Sequence, residues 1–328
     1  MAADRPRCRA RCCGWPQGFG EILDYLRKTR SRRRSKTVKY SRSVLGIWVL
    51  ALSQALASPL VIDDEQLFTT LTEGVGAFAD AKQAITGATL TKASKKAPGS
   101  VAVELPQNLP KAADYETQAK SVFLMGSVYK CGKCEHWHLG GSATAWCLTT
   151  DGLMVTNHHV FEKAAGESWG VCGLDGKVYR ITEILATNKT ADLAVFRVDA
   201  KDLTPLALGD DAAVGAAVSI ISHPDRRCFF HSSGEVARYS KAPSRSPAKG
   251  ATWMSVTADF AKGSSGGPVL NADGAVVGMV SSTQSITYGP PAKDGKPTGP
   301  HQMVIRNCVP VAAVRAITTA PATDASPP

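Results

Sequence analysis

From Val122 to Val309 the chain alternates short apolar runs with clusters of turn-forming residues. The runs lie at 122–129, 145–149, 153–156, 178–186, 193–198, 218–222, 229–231, 236–239, 253–258, 269–270, 275–281 and 303–309. Most have strand length and are rich in Val, Ile, Thr or aromatic residues. They recur at roughly 8 to 12 residue spacing with no long helical periodicity between them, which predicts antiparallel barrels or a sandwich. Asp-Gly pairs at Asp151-Gly152, Asp175-Gly176 and Asp273-Gly274 are local hairpin signals, because glycine supplies the positive φ that a tight turn demands. Residues 311–318 read as a short closing helix, and the polar Pro/Gly-rich insertions at 240–250 and 289–300 read as surface loops. No internal repeat is evident among the motifs.

Ahead of this block, residues 58–117 are rich in Ala, Thr, Lys and Pro. One amphipathic stretch, Leu67, Leu71, Val75 and Phe78, predicts a short helix weakened by Gly74 and Gly76 and followed by a linker. A propeptide, a spacer and an oligomer contact all fit this segment, and the sequence leaves the oligomeric state open. Residues 319–328 read as a disordered tail.

Charge separates the first residues from the rest. The chain carries a formal net charge of +10, and residues 1–57 account for it with 13 Lys/Arg against 3 Asp/Glu. The remaining residues are neutral overall, with 25 of each sign, so no electrostatic footprint for nucleic acid is expected. Residues 1–57 have the layout of a secretory signal with a long basic n-region: Arg27 to Arg42 precede the apolar run 44–52, which leads to the small-x-small pattern Ala55-Leu56-Ala57. A bilayer span needs about 20 apolar residues, so no stable membrane span is expected after cleavage. The expectation is an exported chain, periplasmic or secreted.

Three stretches carry candidate chemistry. Lys262-Gly263-Ser264-Ser265-Gly266-Gly267-Pro268 sets serines among glycines just before an apolar run. Glycines can aim successive backbone N–H groups into one concavity beside a hydroxyl, although an ordinary Gly-Ser turn has the same composition. Val155-Thr156-Asn157-His158-His159-Val160 ends an apolar run with two histidines, only one of which could share a strand face with Val155 and Asn157. Asp192 opens the run Leu193-Ala194-Val195-Phe196, where a strand-start cap is the plain reading. Together they supply a hydroxyl nucleophile, a base to deprotonate it and an acid to hold the base's tautomer.

In the order His, Asp, Ser, the texts Thr156-Asn157-His158-His159-Val160, Asp192-Leu193-Ala194-Val195 and Gly263-Ser264-Ser265-Gly266-Gly267-Pro268 resemble the trypsin-like serine peptidases of the chymotrypsin fold, and most of all the bacterial HtrA/Deg-type branch. The resemblance covers residues 118–318. It implies an all-β fold of two six-stranded antiparallel barrels, about 118–205 and 206–318, with the active site in the cleft between them. It assigns His159 as general base, Asp192 as its orienting acid and Ser265 as nucleophile, with the backbone N–H groups of Gly263 and Ser265 as oxyanion hole. No cofactor is implied, and the expected partners are protein or peptide substrates. Two departures stand out. Ser264 occupies a position where Asn or Asp is more frequent, and with 20 residues after Cys308 the PDZ domain usual in that branch is not expected here. Asp259, six residues before Ser265, is placed either to bind Lys or Arg at P1 or to act as a structural strand-end aspartate.

Of nine cysteines, six lie beyond the leader: Cys131, Cys134, Cys147, Cys172, Cys228 and Cys308. An even number in an exported chain favours disulfides, and Cys147 with Cys172 could bridge the loop that carries His159. The cluster Cys131-Gly132-Lys133-Cys134-Glu135-His136-Trp137-His138 lies outside the family pattern. On a strand Cys134, His136 and His138 would share a face, so a metal site made by Cys131, Cys134, His136 and His138 stands beside the favoured disulfide. The expected function is an exported serine endopeptidase working through an acyl-enzyme. The alternative is a catalytically silent trypsin-like scaffold that binds a peptide or a metal.

Overall fold

The computed structural model of the chain describes residues 59–319, apart from 107, 108, 110, 113, 163, 165, 243–248, 291 and 295–297. The expected signal peptide and the C-terminal tail from residue 320 lie outside the described residues. The body from Leu60 onward contains two closed antiparallel barrels of six strands each.

The first barrel comprises β1 (Val122–Lys130), β2 (Trp137–Cys147), β3 (Leu153–Thr156), β4 (Ser168–Cys172), β5 (Val178–Asn188) and β6 (Leu193–Val198), paired in the order β1-β2-β3-β6-β5-β4. The second comprises β7 (Ala217–Ser222), β8 (Phe230–Lys241), β9 (Thr252–Val256), β10 (Pro268–Leu270), β11 (Val276–Gly289) and β12 (Thr298–Pro310), in the order β10-β11-β12-β9-β8-β7. The three Asp-Gly pairs join β2 to β3, β4 to β5 and β10 to β11, with φ of 92°, 75° and 76° at Gly152, Gly176 and Gly274. The expected two-barrel architecture is therefore the one observed. Its strands are longer than the apolar runs. Most of β2 and all of β4 lie in Gly- and Ser-containing sequence that shows no apolar run, and β11 and β12 pair onward from Val280/Cys308 to Gly289/Thr298 as a largely exposed ribbon. The insertion at 289–300, read as a loop, thus includes the start of β12.

Strand β1 shows how sequence and packing connect. Its side chains alternate between two clusters: Phe123 and Met125 join Ala145, Met154, Ile181 and Phe196, whereas Val122, Leu124 and Val128 join α1 (Asp64–Asp80) and residues of the second barrel. Both faces are buried, so β1 reads as a continuous apolar run rather than an alternating one.

Helix α1 is the expected amphipathic helix, capped by Asp63, whose Oδ1 accepts from Gln66 N at 2.9 Å. It buries Leu67, Phe68, Leu71 and Val75 against β1, β2, β4 and β5. A fully buried Leu or Val contributes about 1.5–3 kcal/mol. Gly74 and Gly76 act as contact points here. A Cβ on Gly74 would stand 2.8 Å from the Val178 side chain, and one on Gly76 would stand 2.3 Å from the Trp137 ring, so their lost helix propensity allows close approach. The residues that follow, read as a linker, carry a second helix, α2 (Gly87–Lys96), which places Leu90 in the first barrel's core. The chain then runs beside the last helix, α5 (Val311–Thr318), through Val101 N to Ile317 O (2.8 Å) and Val103 N to Thr318 O (3.0 Å). Between these, α3 (Tyr115–Ala119) leads into β1, and α4 (His158–Glu162) follows β3.

Candidate active site

The two histidines do not lie on a strand. Strand β3 ends at Thr156, and His158 and His159 open the short helix α4, which turns their side chains in different directions. His158 is buried, and burial holds its pKa below the ordinary value. His159 faces the junction of the two barrels.

There His159, Asp192 and Ser265 come together. His159 Nδ1 lies 2.9 Å from Asp192 Oδ2 and 3.0 Å from Oδ1, and its Nε2 lies 3.0 Å from Ser265 Oγ. The backbone N–H of His159 also donates to Asp192 Oδ1 at 3.0 Å. A carboxylate held against Nδ1 favours the tautomer with the proton there, which leaves Nε2 as the acceptor facing the hydroxyl. Burial is the largest single influence on the His159 pKa and lowers it. The Asp192 hydrogen bond and charge, with Glu162 behind them, outweigh burial and hold the imidazole above its ordinary value.

Asp192 is positioned with equal care. Its φ of 56° is in the left-handed region, which Asp tolerates better than most residues. Asn157 Nδ2 donates to its carbonyl at 3.0 Å, and Ser281 Oγ, from β11 of the other barrel, donates to Oδ2 at 2.5 Å. Ser281 escapes sequence reasoning, because a serine with no motif around it carries no signal beyond polarity, and Asn157, though inside the histidine motif, is given no role by it.

The loop before β10 sets the serine. Gly263 has φ 97°, and a Cβ there would sit 2.4 Å from His223 O; Gly266 has φ 88°, and its Cβ would fall 2.1 Å from Thr144 O. Thr144 of β2 bonds across the barrel junction three times, donating from Oγ1 to Gly263 O (3.0 Å) and from its N–H to Ser265 O (2.8 Å), while its Oγ1 accepts from His223 N (3.2 Å). Ser264 is buried and accepts from Ser222 Oγ at 2.9 Å, which gives the departure at this position a packing role. The Lys262 carbonyl accepts from Asp225 N at 2.6 Å. In a trans peptide the N–H points opposite to the C=O, so this bond orients the Gly263 N–H away from Asp225. Among the described residues, neither the Gly263 nor the Ser265 N–H has an acceptor. Both amides are thus left without a protein partner beside Ser265.

Behind this loop lies His223, fully buried, whose Nδ1 accepts from Phe229 N at 3.0 Å and whose ring meets that of Phe229 edge-on at 4.8 Å. Burial pushes its pKa down to about 3, with a smaller opposing influence from the Phe123 backbone, and Nε2 has no hydrogen-bond partner among the described residues. The turn that follows, Pro224–Arg226, holds Asp225 and Arg226 at φ 45° and 67°. Non-glycine residues at such angles store strain, here beside the loop they brace.

Other expected site residues fall elsewhere. Asp259 is ion-paired with Arg306, while its carbonyl accepts from Ser232 Oγ at 2.7 Å. All six described cysteines beyond the leader are free, so the expected disulfides are not formed. Cys147 and Cys172 belong to different core clusters because their strands present them to different faces, which rules out the bridge across the His159 loop. At the β1–β2 turn Cys131, Cys134 and His138 gather, with their ligand atoms within 4.8 Å of one another. His136 is not among them. Residues 131–136 form a turn rather than a strand, and His136 lines a groove of about 880 Å³ between α1 and the hairpin. The Lys133 backbone N–H, Cys134 and His138 lower the Cys131 thiol to about 7.

Residues 143–279 match the model of the trypsin-like peptidase domain. Relatives include a probable periplasmic serine endoprotease, DegP-like, of Halomonas elongata, 32% identical over 138 residues that make up 42% of this chain and 28% of that protein. The serine protease Do-like HtrA of Bacillus subtilis is 30% identical over 162 residues, 44% of this chain and 34% of that protein. The chain thus spans about a third of the length of these relatives. Among solved structures, an HtrA-type protease with a decapeptide aligns at 17% identity and TM-score 0.47, over 61% of this chain and 64% of that one. With its matched segment running from β2 to β11 and both barrels closed around the residues described above, the chain contains, at residues 143–279, a trypsin-like peptidase domain similar to that of HtrA- and Deg-type proteases.

Proposed function

We propose that this protein is an exported serine endopeptidase. The observation that carries the reading is the continuous relay from Asp192 through His159 to Ser265 Oγ, with two unpaired amides beside the hydroxyl. Ser265 Oγ would attack the scissile carbonyl while His159 Nε2 takes its proton and Asp192 stabilises the resulting imidazolium. The carbonyl oxygen, gaining negative charge, would be received by the Gly263 and Ser265 N–H groups. His159 would then protonate the leaving amine, and water would release the acyl group by the same route in reverse. The substrates would be proteins or peptides, and no step calls for a cofactor. Export is supported by the layout of residues 27–57 and by the periplasmic naming of the Halomonas relative. No helix among the described residues is long and apolar enough to cross a membrane.

For Asp259 the proposal is structural. Its carboxylate is engaged by Arg306, so its charge is compensated within the protein, and Lys or Arg at P1 is not expected to be favoured.

The test is labelling of the folded chain with a fluorophosphonate, which requires nucleophile, base and oxyanion hole together. Stoichiometric labelling at Ser265 is expected, abolished in Ser265→Ala along with hydrolysis of an unfolded protein substrate. Folded protein that takes no label and cleaves nothing would return the chain to the silent-scaffold reading. A peptide library cleaved by the same enzyme should show no enrichment for Lys or Arg at P1.

A further inference from the structure

We propose that the tip of the β1–β2 hairpin is a binding site for a thiophilic divalent ion of the zinc class, held by Cys131 Sγ, Cys134 Sγ and His138 Nε2. This goes beyond the peptidase reading and does not depend on it. Cys131 Sγ and Cys134 Sγ stand 3.4 Å apart, and Cys134 Sγ lies 3.0 Å from His138 Nε2. A tetrahedral zinc, with bonds of about 2.3 Å to sulfur and about 2.0 Å to nitrogen, spaces its ligand atoms roughly 3.5–3.8 Å apart. The two pairs that share Cys134 need to part by only about half an ångström to receive it, and all three ligand atoms already lie within 4.8 Å of one another.

The frame around them is already built. The hairpin pairs Tyr129 with His138 and Lys130 with Trp137 immediately before the loop, so the strand ladder fixes both ends. Gly132 makes the turn at φ 71° with no atom near the place a Cβ would take. Lys130 closes the loop from within. Its ammonium donates to the Glu135 carbonyl at 2.5 Å and lies 4.4 Å from the centre of the Trp137 ring. The Tyr129 ring rests against that of His138 at 5.5 Å and limits the imidazole's rotation.

The donor set also selects the ion. Two thiolates and a neutral imidazole suit zinc and disfavour magnesium or calcium, which take oxygen ligands. Their two negative charges balance a divalent cation. Both cysteines are exposed at the hairpin tip, so the fourth position opens outward to water or an external ligand. Oxidation to a disulfide would remove two of the three ligands, so binding belongs to the reduced protein.

Cobalt(II) added to the reduced full-length protein without oxygen provides the test, since thiolate-to-cobalt charge transfer appears only when cysteine is a ligand. One equivalent is expected to bind with tetrahedral visible bands and to be displaced by one equivalent of zinc, which raises the thermal midpoint. Cys131→Ser, Cys134→Ser and His138→Ala should each weaken binding by about a hundredfold or more, whereas His136→Ala should leave it unchanged. The cysteine variants are exposed and should fold, which circular dichroism would check. Absence of the charge-transfer band in reduced wild-type protein would overturn the site. Cobalt affinity left unchanged in Cys131→Ser, Cys134→Ser or His138→Ala, or weakened in His136→Ala, would overturn the ligand set.

Discussion

Strand β2 serves two sites that are assembled in opposite ways. At its start, His138 joins Cys131 and Cys134, all within eight residues and held by a single hairpin. Further along, Thr144 grips the loop of Ser265, a residue more than a hundred positions away in the other barrel. The local cluster costs little chain entropy to assemble and is surrounded by solvent. The distributed site depends on buried polar groups whose partners must all be in place: Thr144 on Gly263, Ser222 on Ser264, Ser281 on Asp192. An unmatched buried polar group costs about 1–3 kcal/mol, so the distributed site is the one that a change in its supports should damage. The local one should tolerate changes beyond its own hairpin.

The largest expected effect is at Asp192, the proposed orienting acid. Asp192→Asn keeps a residue that accepts left-handed φ and an oxygen for Ser281 to donate to, so the fold should be retained. Its carboxamide cannot hold His159 in the tautomer that needs an Nδ1 acceptor and stabilise the cation as well. Turnover should fall by about 10⁴-fold, the size of the same change in trypsin. In the wild type the imidazole must be neutral to act as base, and Asp192 raises its pKa, so the acid limb of kcat/KM should lie above the ordinary histidine value. In the variant that limb should move to lower pH. A limb that does not move would show that the two side chains are not coupled as their geometry implies.

The same contrast governs what the sequence disclosed. The two barrels were legible because every Asp-Gly turn fell between strands and the apolar runs marked strand centres. The extents of β2, β4, β11 and β12 were not, because Gly, Ser and Thr in those strands are held by ladder hydrogen bonds and neighbouring layers rather than by their own hydrophobicity. His159, Asp192 and Ser265 stood out through the texts around them. Ser281, Thr144 and His223 did not, and Asn157 lay in the histidine text without an evident role, since their partners lie from 35 to 119 positions away or are backbone atoms created by the fold. The cysteine cluster was visible from spacing alone, yet treating 134–138 as a strand put His136 on the wrong side. A turn through residue 136 breaks the period of two.

His223 offers a second, smaller test of the distributed site. Burial depresses its folded pKa to about 3, while the unfolded chain takes a proton near the ordinary value of 6.5. Between these values the unfolded state binds the extra proton. Its contribution to stability is full above the ordinary value and is lost progressively as pH falls toward 3, with a slope approaching about 1.4 kcal/mol per pH unit. His223→Asn retains an oxygen that can accept from Phe229 N but cannot titrate. Urea midpoints measured from pH 7 to 4 should fall less steeply in the variant than in the wild type. Equal slopes would mean that water reaches the ring and that the wall behind Gly263 is softer than its packing suggests.

The smallest effect is expected where the two sites can be separated. Gly76→Ala gains about 1 kcal/mol of helix propensity but pushes a methyl group into the Trp137 ring, 2.3 Å from where its Cβ would sit. Overpacking typically costs about 1–3 kcal/mol, and Trp137 is tied by its indole N–H to Asp80 at 3.0 Å, so the ring cannot retreat without losing that bond. The net change should be a destabilisation of about 1–2 kcal/mol with altered Trp137 fluorescence, read by urea unfolding. Turnover should be little changed, because none of the hydrogen bonds that set Ser265, His159 or Asp192 passes through α1. The cobalt band of the hairpin should also persist, because its ligands are held by the ladder on either side of the loop rather than by the helix. Loss of that band in Gly76→Ala would show that α1 supports the cluster through Trp137, and that the local site is less autonomous than its eight-residue span implies.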